Sequence, residues 1–177
     1  EIDTDDNGEK ITYVAPTFYG LTVGASYIPQ ALTEDDRGLT DISSANSEAY
    51  GVGALYAKEF GPVGLKLSGG WVTYDVSGAV AGVTKKSNEW SVGTQVSYAG
   101  FTVGGSYLKR DVDNKPTNAG NTDWRVAGHQ GQSWDVGVSY ATGPYAVSLS
   151  YFHGASANTG DYTDSDSVVS LGGAYDL

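Results

Sequence analysis

Apolar and polar residues alternate with a period of two through most of this chain. Trp90, Val92, Thr94, Val96 and Tyr98 fall on one face of a segment, and Glu89, Ser91, Gly93, Gln95 and Ser97 on the other. A tight Ala99-Gly100 connection follows. The next segment sets Phe101, Val103, Gly105 and Tyr107 against Thr102, Gly104, Ser106, Leu108 and Arg110. Successive strand side chains point to opposite faces, so this period predicts β-structure. It predicts nine strands, near 10–17, 20–29, 49–59, 64–75, 88–98, 101–110, 132–142, 145–153 and 167–177. The connections at Phe18-Tyr19, Gly61-Pro62-Val63, Ala99-Gly100 and Gly143-Pro144 are short. Those near 30–48, 76–87, 111–131 and 154–166 are long and rich in Asn, Asp, Ser, Thr and Gly. Short and long connections alternate strictly, which is an up-and-down antiparallel meander.

The two faces differ in kind. One carries Leu21, Val23, Val52, Leu65, Leu67, Val92, Val96, Val103, Val136, Val138, Val147, Leu149 and Leu171. The other carries Thr22, Gly24, Ser26, Gly51, Gly53, Ser68, Ser97, Thr102, Ser106, Ser139, Ser148, Ser150 and Ser170. A soluble sandwich needs large apolar residues on its buried face. Here the second face is small and polar, as in a membrane barrel that is greasy outside and wet inside. Most segments also reach the ~9–11 residues that a tilted strand needs to cross a bilayer. Aromatic residues sit at both ends of the strands. Phe18, Tyr19, Phe60, Tyr98, Phe101, Tyr140 and Tyr145 lie by the short turns, and Tyr27, Tyr50, Trp71, Trp90, Tyr107, Trp134 and Tyr151 lie nearer the long loops. Two belts are what two membrane–water interfaces select. Cross-strand packing in a soluble sheet is the other reading of these rings.

Composition narrows the picture. Mean hydropathy is −0.28, and no run of about 18 apolar residues occurs, so no membrane helix is predicted. A barrel strand shows lipid at every second residue only, so low hydropathy does not argue against a membrane barrel. The 25 Gly and 13 Tyr suit the same class. A net charge of −11 argues against nucleic acid as a partner and for an acidic surface that draws cations. The absence of Cys excludes a disulfide framework and cysteine zinc sites. Nothing calls for a cofactor. Nine strands leave two open edges, and bacterial single-chain barrels have even strand numbers. The expectation is therefore one partial barrel domain over 1–177, with strands missing at both ends.

Two segments carry a resemblance. Lys10-Ile-Thr-Tyr-Val-Ala-Pro-Thr-Phe-Tyr-Gly-Leu-Thr-Val-Gly-Ala-Ser-Tyr27 resembles the Ile-x-Tyr … Pro-x-Phe-x-Gly-Phe-x-x-Gly … Tyr hairpin of the general diffusion porins of Gram-negative bacteria. Val169-Ser-Leu-Gly-Gly-Ala-Tyr-Asp-Leu177 is similar to the Leu-Gly-Ala-x-Tyr-x-Leu strand before the last hairpin of such proteins. The resemblance implies an all-β, antiparallel transmembrane barrel, with about nine strands present of sixteen. It also implies a homotrimer in the outer membrane, surrounded by lipid and passing small hydrophilic solutes and ions. An extracellular β-protein, or a small or plugged barrel, binding partners through its long loops is the alternative.

Candidate chemistry is sparse, and no catalytic set is expected. Lys66, Glu89, Gln95, Arg110 and Asp135 are expected to line a lumen, where Glu89 and Asp135 attract cations and Lys66 and Arg110 contribute to a transverse field. Inward salt bridges that stiffen the wall are the competing reading of the charges. The loop cluster Glu34, Asp35, Asp36 and Arg37 reads as a charged surface loop or as a cation-collecting vestibule. Asp3, Asp5 and Asn7, followed by Gly8, match the start of a calcium loop. Val14 stands where that loop needs a bidentate Glu, so a solvated acidic loop end is the stronger reading. His129 and His153 have no metal-ligand spacing. No Gly-x-Ser-x-Gly elbow marks a nucleophile.

Overall fold

The structure is a computed structural model that describes residues 10–29, 48–77, 84–112, 130–157 and 163–176, a few of the strand-end residues by backbone alone. It contains nine strands: β1 (Ile11–Val14), β2 (Leu21–Ile28), β3 (Ala49–Phe60), β4 (Val63–Ser77), β5 (Thr84–Tyr98), β6 (Phe101–Val112), β7 (Gln130–Thr142), β8 (Tyr145–Ala157) and β9 (Thr163–Tyr175). They form one antiparallel sheet in chain order, each strand bonded to its sequence neighbours. All nine expected strands are present. β1 stops short of the expected range because Pro16 has no N–H for the ladder. Its last contacts are Ala15 N–H donating to the Val23 carbonyl at 2.9 Å and a single Phe18–Leu21 bridge. At the other end of the molecule the ladders run past the expected strand ends, taking in Thr84–Ser87 and Thr163–Asp166.

The short turns are of two kinds, and they alternate. Tyr19 and Gly20 have φ of 50° and 89°, and Ala99 and Gly100 have 49° and 85°. Two successive positive φ values make type I′ turns, whose twist matches that of the strands. Gly61 and Gly143 have φ of 61° and 53° and precede Pro62 and Pro144, as type II′ turns require. Each type I′ turn is also tied to the strand beyond its hairpin. Ala57 N–H donates to the Gly20 carbonyl at 2.8 Å, and Ala141 N–H to the Gly100 carbonyl at 2.9 Å. The match extends to sequence. Gly20-Leu-Thr-Val-Gly-Ala-Ser-Tyr27 and Gly100-Phe-Thr-Val-Gly-Gly-Ser-Tyr107 begin β2 and β6, and Val52-Gly-Ala-Leu-Tyr-Ala57 and Val136-Gly-Val-Ser-Tyr-Ala141 fill β3 and β7. The unit β1–β4 is repeated as β5–β8.

The sheet is a single layer. Residues directly opposite in an antiparallel ladder share a face, so the register sorts every strand. One face collects the apolar positions, and these remain exposed: Leu171 is 83% and Val103 51% accessible. Among the described residues only Ile28 and Ala49 are buried and apolar. A water-soluble fold cannot rest on so small a core, whereas a bilayer covers the apolar face from outside. Packing therefore comes from the ladders and from the solvent on either face.

A Cβ on Gly100 would lie 2.5 Å from the Ala141 carbonyl oxygen, whereas one on Gly143 would meet nothing. Both substitutions carry the strain of positive φ, about 1–3 kcal/mol. Gly100→Ala adds a backbone collision. It should therefore lower the unfolding midpoint in detergent more than Gly143→Ala; equal shifts would contradict the tie between turn and third strand.

Candidate pore wall

The exposed apolar face is bounded by two aromatic bands. By the short turns, Phe101 and Tyr140 have ring centroids 4.4 Å apart, and Tyr145 and Tyr175 5.1 Å. Toward the long connections, Tyr27 lies 5.0 Å from Tyr50, Trp90 5.1 Å from Tyr107, and Trp134 5.2 Å from Tyr151. From Trp90 to Tyr98 the strand rises about 27 Å at ~3.4 Å per residue, or about 19–22 Å along the membrane normal at the ~35–45° tilt of such strands, so the two belts bracket most of a ~25 Å apolar band. The polar tips of the upper rings find polar partners. Tyr27 and Tyr50 hydroxyls donate to the Glu48 carboxylate at 3.4 and 3.2 Å, Tyr107 to Gln132 Oε1 at 2.8 Å, and Tyr151 to Ser167 Oγ at 3.1 Å. His153 is on this outer face, its Nδ1 2.9 Å from Ser167 Oγ. At the lower end Lys58 lies over the Phe60 ring, 5.4 Å from its centroid, with its apolar stem along the lipid face. These are the habits of side chains at a membrane–water boundary.

The opposite face is concave and kept low. Gly64 faces Ser97, Ser68 faces Gly93, and Ser148 faces Gly172 across neighbouring strands. In each pair the serine hydroxyl leans over its glycine: a Cβ on Gly93 would come within 2.8 Å of Ser68 Oγ, and one on Gly172 within 2.7 Å of Ser148 Oγ. Gly104 and Gly137 pair in the middle of the same wall. The result is a groove of about 510 Å³ along β3–β8, reached by Lys66, Gln95, Ser106 and Asp135.

The register puts all five expected lining residues on this concave face. Lys66 is directly opposite Gln95, and Glu89 opposite Arg110. Arg110 Nε lies 3.0 Å from Glu89 Oε1, an ion pair by distance whose direction is not that of a hydrogen bond. Glu89 is 4% exposed, so this pair stiffens the wall at its loop-side end. Asp135 is opposite Ser106, whose hydroxyl donates to its carboxylate in a short contact. Lys66 on β4 and Asp135 on β7 are three strands apart, about 14 Å along the wall at ~4.8 Å per strand. The structure thus separates a base from an acid across the curve.

Some of the concave face was not expected. Leu55, Phe152 and Val168 point inward, Phe152 directly opposite both Asp135 and Val168. Counting by twos from Ser148 and Ser150 reaches Phe152, but its apolar character masks its side. Glu59 leans over Gly64, and Asp166 is opposite Gly154. The acidic loop residues Glu34, Asp35, Asp36 and Arg37, the calcium candidates Asp3, Asp5 and Asn7, and His129 lie outside the described residues. Among the described residues no three metal-ligating side chains converge.

An antiparallel meander with a lipid-type outer face, two aromatic belts and a polar concave wall defines the wall of a transmembrane β-barrel. The family model described as Gram-negative porin matches residues 2–177, and the chain belongs to that family. Its place is the outer membrane of a Gram-negative bacterium. It is 26% identical over 172 residues to a major outer membrane protein of Pasteurella multocida, covering 97% of this chain and 44% of the relative. It is 27% identical over 184 residues to the protein of the same description from strain Pm70, covering 97% and 48%. The chain thus spans about half the length of the curated relatives it matches. Among solved structures it is similar to a BenF-like porin from Pseudomonas fluorescens Pf-5, with 14% identity, a TM-score of 0.45, and coverage of 76% of this chain and 39% of the other.

Two substitutions of the same kind should separate the faces. Val103→Arg puts a charge in the middle of the lipid band and should cost about 2–4 kcal/mol of unfolding free energy in lipid vesicles. Gln95→Arg, on the wet wall, should cost far less; equal losses would reverse the assignment. Arg110→Gln leaves the Glu89 charge unpaired in a mostly dry position and should cost about 1–3 kcal/mol, less than for a fully buried pair because Arg110 is a third exposed. Glu89→Gln added to it should restore part of that stability.

Proposed function

We propose that these strands belong to a closed barrel around a water-filled channel, through which small hydrophilic solutes and ions diffuse passively across the outer membrane. The observation that carries this reading is the contrast between faces: an exterior that is mainly apolar between its aromatic belts, and an inner face on which Ser and Gly predominate, leaving space for water instead of filling it. The edges of the sheet, β1 and β9, must pair in lipid, with each other or with further strands of the whole protein. The curated relatives are about twice the length of this chain, which favours further strands and a wider bore. Homotrimeric assembly is part of the proposal and rests on the family resemblance.

Selection in such a channel comes from width and lining charge. Among the described side chains within the ladders, the inner face sets Glu59, Glu89, Asp135 and Asp166 against Lys66 and Arg110. With Glu89 and Arg110 paired, the remaining acids outnumber Lys66, and cations are favoured. Lys66 and Asp135, on separated strands, supply a field across the lumen.

Planar-bilayer conductance of the full-length protein, extracted from outer membranes without boiling, tests this. Stepwise openings in groups of three and a cation-selective reversal potential in a KCl gradient are expected. A unit charge acts on an ion ~4 Å away with about 1 kcal/mol in water, of opposite sign for K⁺ and Cl⁻, so Asp135→Asn should reduce the K⁺/Cl⁻ permeability ratio, by up to about thirtyfold. A folded protein without conductance would refute the channel, and anion selectivity would refute the charge assignment.

A further inference from the structure

Phe152 is out of place on a wet wall. Among the described side chains of the concave face it is the one aromatic ring, and it remains 40% exposed. Its partner in register, Val168, is 51% exposed. A Ser or Gly, used elsewhere on this wall, would serve as a neutral lining. The ring instead rests against Gly154, two residues along β8, where a Cβ would lie 3.2 Å from Phe152 Cε1 and Cζ. Gly154, having no Cβ, therefore leaves room for the ring to lean along the wall toward the long-loop end.

The surroundings of the ring are acidic on both sides. Asp135 on β7 is directly opposite Phe152, and Asp166 on β9 is directly opposite Gly154. Side chains directly opposite have Cβ atoms about 4.5–5.5 Å apart. In register, Asp135 and Asp166 thus stand on the strands either side of Phe152 and Gly154, with Val168 opposite Phe152; the Asp135 carboxylate accepts from Ser106 on β6. An aromatic face attracts cations through its quadrupole, and the flanking carboxylates have the matching sign. An inorganic cation has no use for Val168 or for the body of the ring, whereas an organic cation with an apolar portion does.

We propose that Phe152, flanked by Asp135 and Asp166, forms a subsite on the channel wall for small organic cations with an apolar body. It makes the channel discriminate among cations by their organic part, beyond the general preference for positive charge. The proposal rests on the channel reading above, and its test distinguishes the two.

The probe is benzyltrimethylammonium added to KCl-bathed single channels of the full-length protein, with tetramethylammonium and benzoate as comparators. In the unaltered protein, benzyltrimethylammonium should produce current interruptions longer than those of tetramethylammonium, and benzoate should produce none. An exposed cation–π contact is worth about two- to fivefold in dwell time. Phe152→Leu keeps an apolar side chain without the quadrupole and should shorten the dwell by that factor, whereas Phe152→Tyr should keep it. Asp166→Asn, made without touching the ring, should also shorten it. Unchanged dwell times in both Phe152→Leu and Asp166→Asn, or equal block by benzoate, would overturn the subsite while leaving the channel intact. A protein that conducts no KCl would overturn both readings.

Discussion

In the hydrocarbon layer an amide or carbonyl without a partner costs several kcal/mol, because no water can stand in. For strands this means that each must be bonded on both sides, and the unbroken ladders from β1 to β9 are the direct response. The rest of the structure depends on that pairing. A ladder forces side chains to alternate faces, so the same bonds that satisfy the backbone also sort Val and Leu to one side and Ser and Gly to the other. A one-residue slip would exchange lipid and water along a whole strand. The turns guard against this. Positive φ at Gly20, Gly61, Gly100 and Gly143 sets the hairpin registers, and the bonds from Ala57 and Ala141 to the type I′ turns link each of those hairpins to the next strand.

The inner wall solves a different problem. A sheet that encloses water must not fill its own bore. Glycine alone would leave the strands flexible and without cross-strand contacts. Where a Ser leans over its partner Gly, as at Gly64, Gly93 and Gly172, a cross-strand contact is kept while the wall stays one hydroxyl high. Against that low background the taller side chains stand out, and they fall in distinct places. Glu89 and Arg110 close on each other at the loop-side end. Lys66 and Asp135 stand apart on separate strands, Asp135 accepting from Ser106. Phe152 leans against Gly154. One polar face thus holds a structural ion pair, separated charges and an aromatic strip.

The repeat of β1–β4 as β5–β8 fits this economy. Each strand of a barrel meets nearly the same demands: a lipid-facing Val or Leu at alternate positions, a small inner residue between them, and an aromatic at each boundary. Gly-Leu-Thr-Val-Gly-Ala-Ser-Tyr and Gly-Phe-Thr-Val-Gly-Gly-Ser-Tyr meet them in the same order. The alternation of type I′ and type II′ turns repeats with the same unit, so turn chemistry and strand pattern were kept together.

The sequence by itself determined the strand count, the short turns, the two faces and the two aromatic belts, because each of these is a local pattern written in periods of two and in Gly and Pro. It understated strand length on the loop side. Thr84 to Ser87 and Thr163 to Asp166 are polar on both faces, so the ladder continues there without the hydrophobic signal that marks the membrane crossing. The tertiary structure alone decided which inner charges meet. Glu89 and Arg110 stand at matching positions on the two strands of the β5–β6 hairpin, and the folded ladder brings them to 3.0 Å. It also decided that Phe152 faces inward, opposite Asp135 and Val168, since an apolar residue taken alone reads as facing lipid. Alternation along one strand says which side a residue takes, whereas the hydrogen-bonded register between strands says what stands opposite it.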